Sequence, residues 1–481
     1  MLTQTIDVPL WALVALLAIA IWGAVERALV PGVRWYLRRR VNRAIAEVNS
    51  RLKTTIRPFQ LTKRQVLIDR LVYDPEVIKA MESHAEKEGI PREAVHLQVQ
   101  EYAKEIVPAF NAYIYFRFGY WASRKISRLL YRVRVRMFNE KLLDEVDPES
   151  TIVFVMNHRS NMDYMLVSYL VMDQSTMSYA VGEWARVWPL NTLIKAMGAF
   201  FVRRGSGNPL YRKVLQRYVH MATQAGVCQA VFLEGGLSHD GRLRDPKMGF
   251  LSYMLRDYNP ANDRDIVFVP IAINYDRILE DKSLLRRRDP DATKKSKWFV
   301  FWTTWRFYRK QMALSRRNRH KRFGYAGVNF GRPLSAHKFC EDAGIRFRKV
   351  SDEERRDAIG QLADRLMNEI AFVMPILPLP LVATVFQHAG DSVLTAFEVK
   401  SRTMDLVEAL QGVGAPIRDK EKPREDTLDR AINILRYRKM ILESDGHFRA
   451  NPEQAQLLSF YAASLEHWDE KRVAKIKTET E

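Results

Sequence analysis

The stretch TIVFVMNHRSNMDY, residues 151–164, decides the fold into which the rest of the chain must fit. Its first six residues form a continuous apolar run, which is typical of a strand that is buried on both faces. The next eight are polar and carry His158 and Asp163, five residues apart. A histidine and a carboxylate placed after a buried strand can act as a general base and the group that orients it. Such pairs are common by chance, so the meaning of this one depends on the sequence around it.

Short apolar runs alternate with helical stretches downstream of this segment. The runs are MSYAV (177–181), GAFFV (198–202), QAVFL (229–233), IVFVPIAI (266–273) and a last one near 325–331. The helical stretches lie near 162–173, 188–197, 208–225 and 246–257. Near-continuous apolar strands that alternate with helices predict an α/β fold, with a mixed sheet covered by helices.

The 481-residue chain suits two or three domains, and its sequence divides into four predicted regions. Residues 1–30 are predicted to form a membrane anchor helix, and residues 31–148 a basic helical region without strand-like alternation. Residues 149–345 form the predicted α/β domain. Residues 346–481 are predicted to be a C-terminal helical domain.

The apolar run Ile370–Phe386 is long enough to suggest a second membrane segment. Pro375, Pro378 and Pro380 lie inside it, and their missing N–H groups argue against one continuous helix. The sequence therefore predicts a packed helix–loop–helix here.

Charge and cysteine content narrow the class of partner. The formal net charge of +20 predicts an anionic partner: nucleic acid, membrane phospholipid, or an acidic protein or substrate. Two cysteines, Cys228 and Cys340, provide neither a disulfide framework nor a metal cluster, which fits a reducing compartment. Cys228 lies in an apolar run and is expected to be a buried structural thiol.

The N-terminus favours membrane phospholipid. Val8–Val25 carries no charge and has about the minimum length of a bilayer-spanning helix. No Lys or Arg precedes it, so it lacks the basic start of a cleaved signal peptide. Arginines that follow it predict, by the positive-inside rule, a cytoplasmic (inner) membrane protein with its catalytic domain on the cytoplasmic side. A buried terminal helix and an interfacial helix that never crosses are the alternatives.

Residues 286–322 point to the same partner. They contain fourteen Lys or Arg and two Asp, and seven of the eleven residues from Trp298 to Tyr308 are aromatic. Cations mixed with Trp and Phe suit an anionic membrane surface, where rings lie among headgroups. Nucleic acid is the competing interpretation. With the apolar N-terminus, the pattern favours the membrane, and no nucleic-acid partner is expected.

Three further motifs follow the His158/Asp163 pair. Gly198–Arg204 (GAFFVRR) is a strand that ends in two arginines, which could hold a phosphate or simply be solvated. Residues 232–249 (FLEGGLSHDGRLRDPKMG) form a glycine-rich loop after a strand, where the backbone can approach a ligand closely or make an ordinary turn. Residues 269–273 (VPIAI) place a proline inside a strand.

Taken in order, the four motifs resemble the signature of the glycerolipid acyltransferase superfamily: His-x4-Asp, Gly-x-x-Phe-x-Arg, a Glu-Gly loop and a proline-containing strand. HRSNMDYMLVSYL, GAFFVRR and FLEGG with DGRL and DPK look like the membrane-bound bacterial glycerol-3-phosphate acyltransferase family. The resemblance covers roughly residues 150–275. It implies a glycerolipid-acyltransferase-like catalytic domain.

The resemblance also implies a reaction and a set of partners. His158 would take the proton of the 1-hydroxyl of glycerol 3-phosphate, and Asp163 would hold the imidazole. The hydroxyl oxygen would attack the thioester of acyl-carrier protein or acyl-CoA and give lysophosphatidate, with no acyl-enzyme, metal or other cofactor. Arg203 would bind the acceptor phosphate, and Pro270 would shape the acyl pocket. The remaining residues assigned to substrate binding are Arg159, Arg204, Glu234, Gly235, Gly236, Ser238, Arg242 and Lys247.

One departure from the family pattern concerns the acceptor. Leu237 and His239 stand where the family usually has an arginine and often a second basic residue. Arg242, Arg244, Lys247 or Arg204 could supply the missing cation. The alternatives are therefore another acceptor, such as a lysophospholipid, lysophosphatidate or dihydroxyacetone phosphate, and a non-catalytic membrane-surface protein.

The turn between His158 and Asp163 has its own sequence signal. On one continuous helix, residues five apart would point about 140° apart, so the chain must turn between them. Ser160-x-x-Asp163 before an apolar run is a capping-box pattern, which predicts a helix that begins near Ser160. Free N–H groups at that helix start could also stabilise an anion.

Overall fold

The core of the fold is an eight-stranded mixed sheet in the order β1-β7-β6-β2-β5-β3-β4, with β8 paired to β6. The computed structural model describes residues 56–137, 146–172, 176–182, 190–203, 205–286, 323–417 and 422–468, together with Pro9, Trp11 and Leu17. The strands are β1 (Arg132–Met137), β2 (Thr151–Met156), β3 (Ser178–Gly182), β4 (Phe200–Val202), β5 (Gln229–Phe232), β6 (Ile266–Tyr275), β7 (Tyr325–Phe330) and β8 (Leu334–Ser335).

The chain divides into two units, residues 1–55 and 56–481, and the sheet belongs to the second. Apart from those three residues, the predicted anchor helix lies outside the described residues, as does the basic aromatic segment 286–322 apart from Arg286. Among the described residues, no helix combines the length and apolar character that a bilayer crossing requires.

Strand β2 explains why the sheet forms at residues 151–156. All six of its side chains are buried. Val153 and Val155 belong to one hydrophobic cluster, whereas Ile152, Phe154 and Met156 belong to another. Successive strand residues point to opposite faces of the sheet. An unbroken apolar run therefore contributes side chains to the hydrophobic cores on both faces. The six strands predicted between 151 and 331 are confirmed, as is the mixed α/β class.

Strand direction sets the position of the site. β2 runs parallel to both of its neighbours, β5 and β6, and β3 runs parallel to β5 and β4. β7 is antiparallel to β6, and β1 is parallel to β7. The carboxyl ends of β2, β5 and β6 therefore meet at one edge of the sheet, where open α/β folds bind ligands.

Helices precede the sheet, as the sequence predicts for residues 31–148. They are α1 (Pro58–Leu61), α2 (Arg64–Val72), α3 (Pro75–Glu88), α4 (Arg92–Ile106), a π-helical segment (Ile114–Gly119) and α5 (Tyr120–Leu130). Strand β1 differs from that prediction. Its sequence, RVRVRM, alternates with the period of a strand, and pairing with β7 outweighs the continuation of α5.

The helices of the α/β region match the four predicted stretches. They are α6 (Asp163–Val171), α7 (Leu190–Ala196), α8 (Pro209–Gln224) and α9 (Gly249–Leu255). A fifth, short helix, α10 (Asp281–Arg286), was not predicted. Asn208 caps α8, since its side chain accepts a hydrogen bond from the Tyr211 amide at 3.0 Å. Both cysteines are buried, which confirms the expectation for Cys228.

The C-terminal region packs on the sheet rather than standing apart from it. Its helices are α11 (Ala336–Asp342), α12 (Asp352–Phe372), α13 (Pro378–Ala389), α14 (Ala396–Gly412), α15 (Glu425–Tyr437) and α16 (Ala455–Ala462). The helix–loop–helix predicted across 370–386 is confirmed, because α12 ends at Phe372 and α13 begins at Pro378. Residues of α13 and α16 share a hydrophobic cluster with β2 and β6.

A small second sheet in this region differs from the prediction of helices alone. β9 (Leu394–Thr395), β10 (Ile441–Ser444) and β11 (His447–Ala450) form three antiparallel strands. Asp445 and Gly446 connect β10 to β11 with positive φ angles of 50° and 74°. A tight hairpin turn favours an Asp-Gly pair, so this hairpin could have been predicted from the sequence.

Candidate active site

His158 and Asp163 lie together at the carboxyl end of β2. The Nδ1 atom of His158 is 2.9 Å from Oδ2 of Asp163, and both side chains are buried. A carboxylate only accepts hydrogen bonds, so Nδ1 is the donor. In the neutral ring the lone pair is then on Nε2. This is the arrangement of a general base and its orienting carboxylate.

Four donors converge on the Asp163 carboxylate. Besides His158, the amides of Arg159 and Ser160 donate to Oδ2 at 2.7 and 2.9 Å. The hydroxyl of Tyr275, at the end of β6, donates to Oδ1 at 2.7 Å. This set of partners holds a buried carboxylate in one orientation and compensates for its lost hydration.

The turn between the two residues is tighter than the sequence predicts. Helix α6 begins at Asp163 rather than near Ser160, and only half of the capping box forms. The Asp163 carboxylate accepts from the Ser160 amide, whereas the Ser160 hydroxyl accepts from Met162 N at 3.1 Å. Glu280 also accepts from Asn161 N at 2.6 Å. The amides of residues 159–161 are therefore engaged by Asp163 and Glu280, which corrects the expectation that they are available to an anion.

Packing fixes the imidazole from the other side. The His158 ring stacks on Phe232 with centroids 3.9 Å apart and planes 24° from parallel, and Tyr164 meets it edge-on at 5.6 Å. Asn157, one residue earlier, exchanges two hydrogen bonds with the backbone of Ile273, at 2.8 and 2.9 Å. These bonds extend the pairing of β2 with β6 by one residue and place the base at a defined height above the sheet edge.

Glu234 links the base to the glycine-rich loop. Its carboxylate accepts from the amide of His158 at 2.9 Å and from the amide of Arg244 at 3.0 Å. Burial raises the pKa of Glu234 to about 7, although both amides and the nearby Arg159 guanidinium act in the opposite direction. Glu234 therefore joins the two ends of the loop to the turn that carries His158.

The loop itself closes over that turn. Gly235 has a φ of +67°, and a Cβ there would lie 2.8 Å from Cγ of Lys247. Buried Ser238 donates its amide to the His158 carbonyl at 3.0 Å, and its hydroxyl donates to the Arg242 carbonyl at 2.8 Å. Gly236 lies between them in the same turn. The structure thus brings the Glu234–Ser238 motif into direct contact with the base, as the motif order suggested.

Arg159 is the cation that the structure places at this site. Its side chain is buried, and Nη1 donates to the Gly241 carbonyl. Within the described part of the chain, its Nε and Nη2 atoms have no hydrogen-bond acceptor. Burial lowers the pKa of Arg159, whereas Glu234 and Asp163 oppose that shift. Two buried, unsatisfied guanidinium donors beside a general base can receive an anionic group.

Arg203 is held elsewhere. Its Nε and Nη2 atoms bind the Glu105 carboxylate at 2.7 to 3.2 Å, and its guanidinium lies about 5 Å from the rings of Tyr102 and Tyr211. None of these partners was a predicted site residue. An acceptor phosphate could bind Arg203 only if the Glu105 pair opened. Arg204 lies outside the described residues.

The remaining predicted substrate-binding residues, Arg242, Lys247 and Pro270, lie in three different surroundings. Arg242 pairs with Glu466 at 2.6 Å, and Lys247 is exposed. Pro270 pairs with Val155 inside β6, between the residues that bind β8 and those that bind β7. A proline is tolerated there because the antiparallel neighbour changes at that point.

Leu237 belongs to the hydrophobic core. Arg244 contacts Leu237, because its Nη1 donates a hydrogen bond to the Leu237 carbonyl at 3.1 Å. Of the cations suggested as replacements at position 237, Arg244 is the one whose described contacts reach that residue.

Sequence analysis missed Tyr275, Glu280 and Phe232 as neighbours of the dyad. Tyr275 is the last residue of β6, and Glu280 follows that strand. Only the sheet order brings β6 beside β2, so no local sequence pattern identifies either residue as a neighbour of the dyad. Phe232 was quoted as strand sequence, and its stacking on His158 depends on the pairing of β2 with β5. Among the described residues, no group of three or more His, Cys, Asp or Glu is arranged to hold a metal ion.

Comparisons with known proteins find relatives of this chain. A protein named glycerol-3-phosphate acyltransferase from Pseudomonas entomophila is 29% identical over 379 residues, which is 75% of this chain and 43% of the relative. The corresponding values are 30%, 75% and 42% for Pseudomonas fluorescens, and 27%, 85% and 50% for Aeromonas hydrophila. The chain thus spans about half the length of the curated relatives it matches.

Two family models match consecutive parts of the chain. The acyltransferase model matches residues 135–274, which contain the sheet edge and the dyad. Together with the fold, this match indicates an acyltransferase-like domain at residues 135–274. A second model, the glycerol-3-phosphate acyltransferase C-terminal region, matches residues 310–468. Along both matched parts the chain is similar to bacterial proteins named glycerol-3-phosphate acyltransferase.

One solved structure also matches. The 1-acyl-sn-glycerophosphate acyltransferase PlsC from Thermotoga maritima is 17% identical, and the match covers 53% of this chain and 88% of that one. Its TM-score of 0.28 is too low to support a conclusion about either protein.

Proposed function

We propose that this chain transfers a fatty acyl group from a thioester to the 1-hydroxyl of glycerol 3-phosphate, forming lysophosphatidate for phospholipid synthesis. The observation that carries the proposal is the buried His158 imidazole whose Nδ1 proton is bound by a carboxylate with three other donors. A neutral imidazole fixed in this tautomer presents Nε2 to a hydroxyl proton.

The reaction follows from that geometry. Nε2 of His158 takes the hydroxyl proton while the oxygen attacks the thioester carbonyl carbon. The new C–O bond forms, the C–S bond breaks, and the leaving thiolate takes the proton from the imidazolium. Asp163 stabilises the imidazolium throughout and remains a carboxylate. The acyl group passes directly to the acceptor, and the thioester, acyl-CoA or acyl-carrier protein, is consumed as co-substrate.

Arg159 supports the choice of a phosphorylated acceptor. Its unsatisfied donors, Nε and Nη2, lie on one edge of the guanidinium. Two donors on one edge match the spacing of two phosphate oxygens. Arg159 is adjacent to His158 in sequence, so a phosphate bound there would bring the rest of a small acceptor near the base. Arg244 supplies a second cation at the same loop.

The acceptor is tested by offering the full chain one labelled acyl thioester with four acceptors in parallel. We expect glycerol 3-phosphate to be acylated at least about tenfold faster, in kcat/KM, than lysophosphatidate or a lysophospholipid, because a small phosphomonoester with a free 1-hydroxyl satisfies both Arg159 and His158. Dihydroxyacetone phosphate has the same two groups, so we expect it to be the strongest competitor and still the poorer acceptor. Preference for any of the other three would refute this acceptor and leave the acyl transfer standing. Acylation of none would refute the enzyme.

We also propose that the protein works at the cytoplasmic (inner) membrane, with the catalytic domain on the cytoplasmic side. Support within the described residues comes from the segment 113–130, where Tyr113, Phe118 and Trp121 expose about half or more of their surface. Lys125 lies 4.7 Å from the Trp121 ring centroid, and Arg124 and Arg128 are neighbours on the same face. Exposed aromatic side chains among cations suit an anionic lipid headgroup layer.

A fluorescent label at Phe118 tests this face. Both native cysteines are buried, so an environment-sensitive thiol dye on Phe118→Cys reports from one surface position. We expect a blue-shifted, brighter signal on adding phosphatidylglycerol vesicles, because the dye enters the headgroup region. Phe397→Cys, at a position 80% exposed on α14, is the matched control and should not respond. Equal responses at both positions, or a response at neither, would refute the proposed face.

A further inference from the structure

A cavity lies on one face of β1 and β7, beneath the C-terminal region. It has a volume of about 550 Å³ and is lined by strand residues, by the loop before α13 and by residues 422–430. This volume falls within the range of roughly 300–1,000 Å³ of small-molecule sites. The residues that form the dyad and its loop do not line it.

Strand β1 makes one wall of this cavity cationic. Its alternating sequence places Arg132, Arg134 and Arg136 on one face, and Arg134 and Arg136 line the cavity. The guanidinium carbon of Arg134 lies 3.7 Å from the ring centroid of Tyr325, so the pair forms a flat surface. Arg136 donates to the Pro416 carbonyl.

Residues 422–430 add further cations to the lining, namely Lys422, Arg424 and Arg430. Arg430 lies on the same side as Arg134, because its Nη2 donates to the Tyr325 hydroxyl at 3.4 Å. Among the described lining residues, Asp426 is the acidic one. Asp426 binds Arg430 at 2.7 Å. Within the described part of the chain, Arg134 and Arg424 pair with no carboxylate. Cations that line one cavity repel each other, and a bound anion would offset this repulsion.

Much of the rest of the lining is apolar. Pro375, Ile376, Leu377, Leu381 and Val407 contribute to it. A site that combines several cations with apolar side chains suits an organic anion that carries phosphate and has an uncharged body. A bare inorganic ion would leave the apolar part of the cavity without a contact.

We propose that this cavity, lined by Arg134, Arg136, Lys422, Arg424 and Arg430, is a second ligand site that binds a phosphorylated organic molecule with at least two negative charges. The site is separate from the dyad and does not depend on the proposed reaction. A nucleotide and a phosphorylated lipid share the required chemistry.

Binding to the full-length chain in detergent tests the proposal. Calorimetric titrations use adenosine 3′,5′-bisphosphate as the nucleotide probe, lysophosphatidate as the lipid probe and inorganic pyrophosphate as the free anion. We expect saturable binding of one organic probe, more tightly than of pyrophosphate. Arg134→Gln and Arg424→Gln, at two exposed positions that need no change in the core, should each weaken that binding at least tenfold.

Two controls complete the test. Arg70→Gln removes an exposed charge on α2 and should leave the Kd within twofold. His158→Asn should bind as the wild type does, because the cavity does not include the dyad. Absence of saturable binding by either organic probe, pyrophosphate binding at least as tightly, or equal weakening by Arg70→Gln and the cavity variants would overturn the proposal.

Discussion

Replacing His158 with alanine is expected to lower the rate of acyl transfer by about three orders of magnitude, the middle of the range of general-base contributions. The acceptor hydroxyl would then lose its proton without assistance, and Asp163 cannot replace the base, since its carboxylate is committed to the Arg159 and Ser160 amides and the Tyr275 hydroxyl. The measurement is kcat and the acceptor KM, with glycerol 3-phosphate varied at a saturating concentration of labelled thioester. The loss should appear in kcat, with KM for the acceptor changed by less than about threefold.

A second variant separates chemistry from folding. Removing the buried imidazole leaves a cavity against Phe232, which by itself lowers stability. His158→Asn fills more of that space and can still donate to Asp163, but its amide has no basic lone pair. It should melt close to the wild type and remain as inactive as the alanine variant. His337→Gln, on an exposed histidine of α11, is the matched control and should keep full activity. Substantial activity in His158→Asn would remove the base from the mechanism.

Gly241→Ala is expected to have the second large effect. Gly241 has a φ of +88°, where an L side chain is strained by about 1–3 kcal/mol. A methyl group there would also overlap the carbonyl oxygen of Phe460 in α16. Either the loop or α16 must move, and both contact Arg159. We expect a clear fall in thermal midpoint and a loss of acyl transfer of tenfold or more.

Gly207→Ala is the matched control for that change. Gly207 precedes α8, has no atom within 4 Å of its added Cβ, and does not require a positive φ. Its substitution should leave both the thermal midpoint and the rate unchanged. If Gly241→Ala behaved like Gly207→Ala, the contact between the loop and α16 would be too loose to position Arg159.

The sequence predicts the central strand and its dyad well, and it predicts contacts between distant parts of the chain poorly. Strand β2 could be located to the residue because a strand buried on both faces leaves an unbroken apolar run. His158 and Asp163 follow directly, and their contact requires only a short local turn. The helix–loop–helix around Pro375 could be predicted equally well, because a proline interrupts a helix through its own backbone.

Long-range pairing explains what sequence analysis missed. Tyr275 reaches Asp163 across 112 positions of sequence, and Glu280 reaches Asn161 across 119. The engagement of Arg203 by Glu105, from a helix of the N-terminal region, is of the same kind. A motif identifies residue types in order along the chain, whereas the partners that decide the role of each residue depend on how the whole chain packs.

The contact between the active-site loop and the C-terminal region has a consequence for how the protein is made. Phe460 lies against Gly241, and Glu466 binds Arg242, so two of the last described residues secure a loop encoded more than two hundred codons earlier. Synthesis proceeds from the N-terminus, and earlier regions fold first. The dyad can therefore assemble on the ribosome well before the loop beside it is fixed. A polypeptide interrupted before Phe460 would lack the contact that secures the loop beside His158.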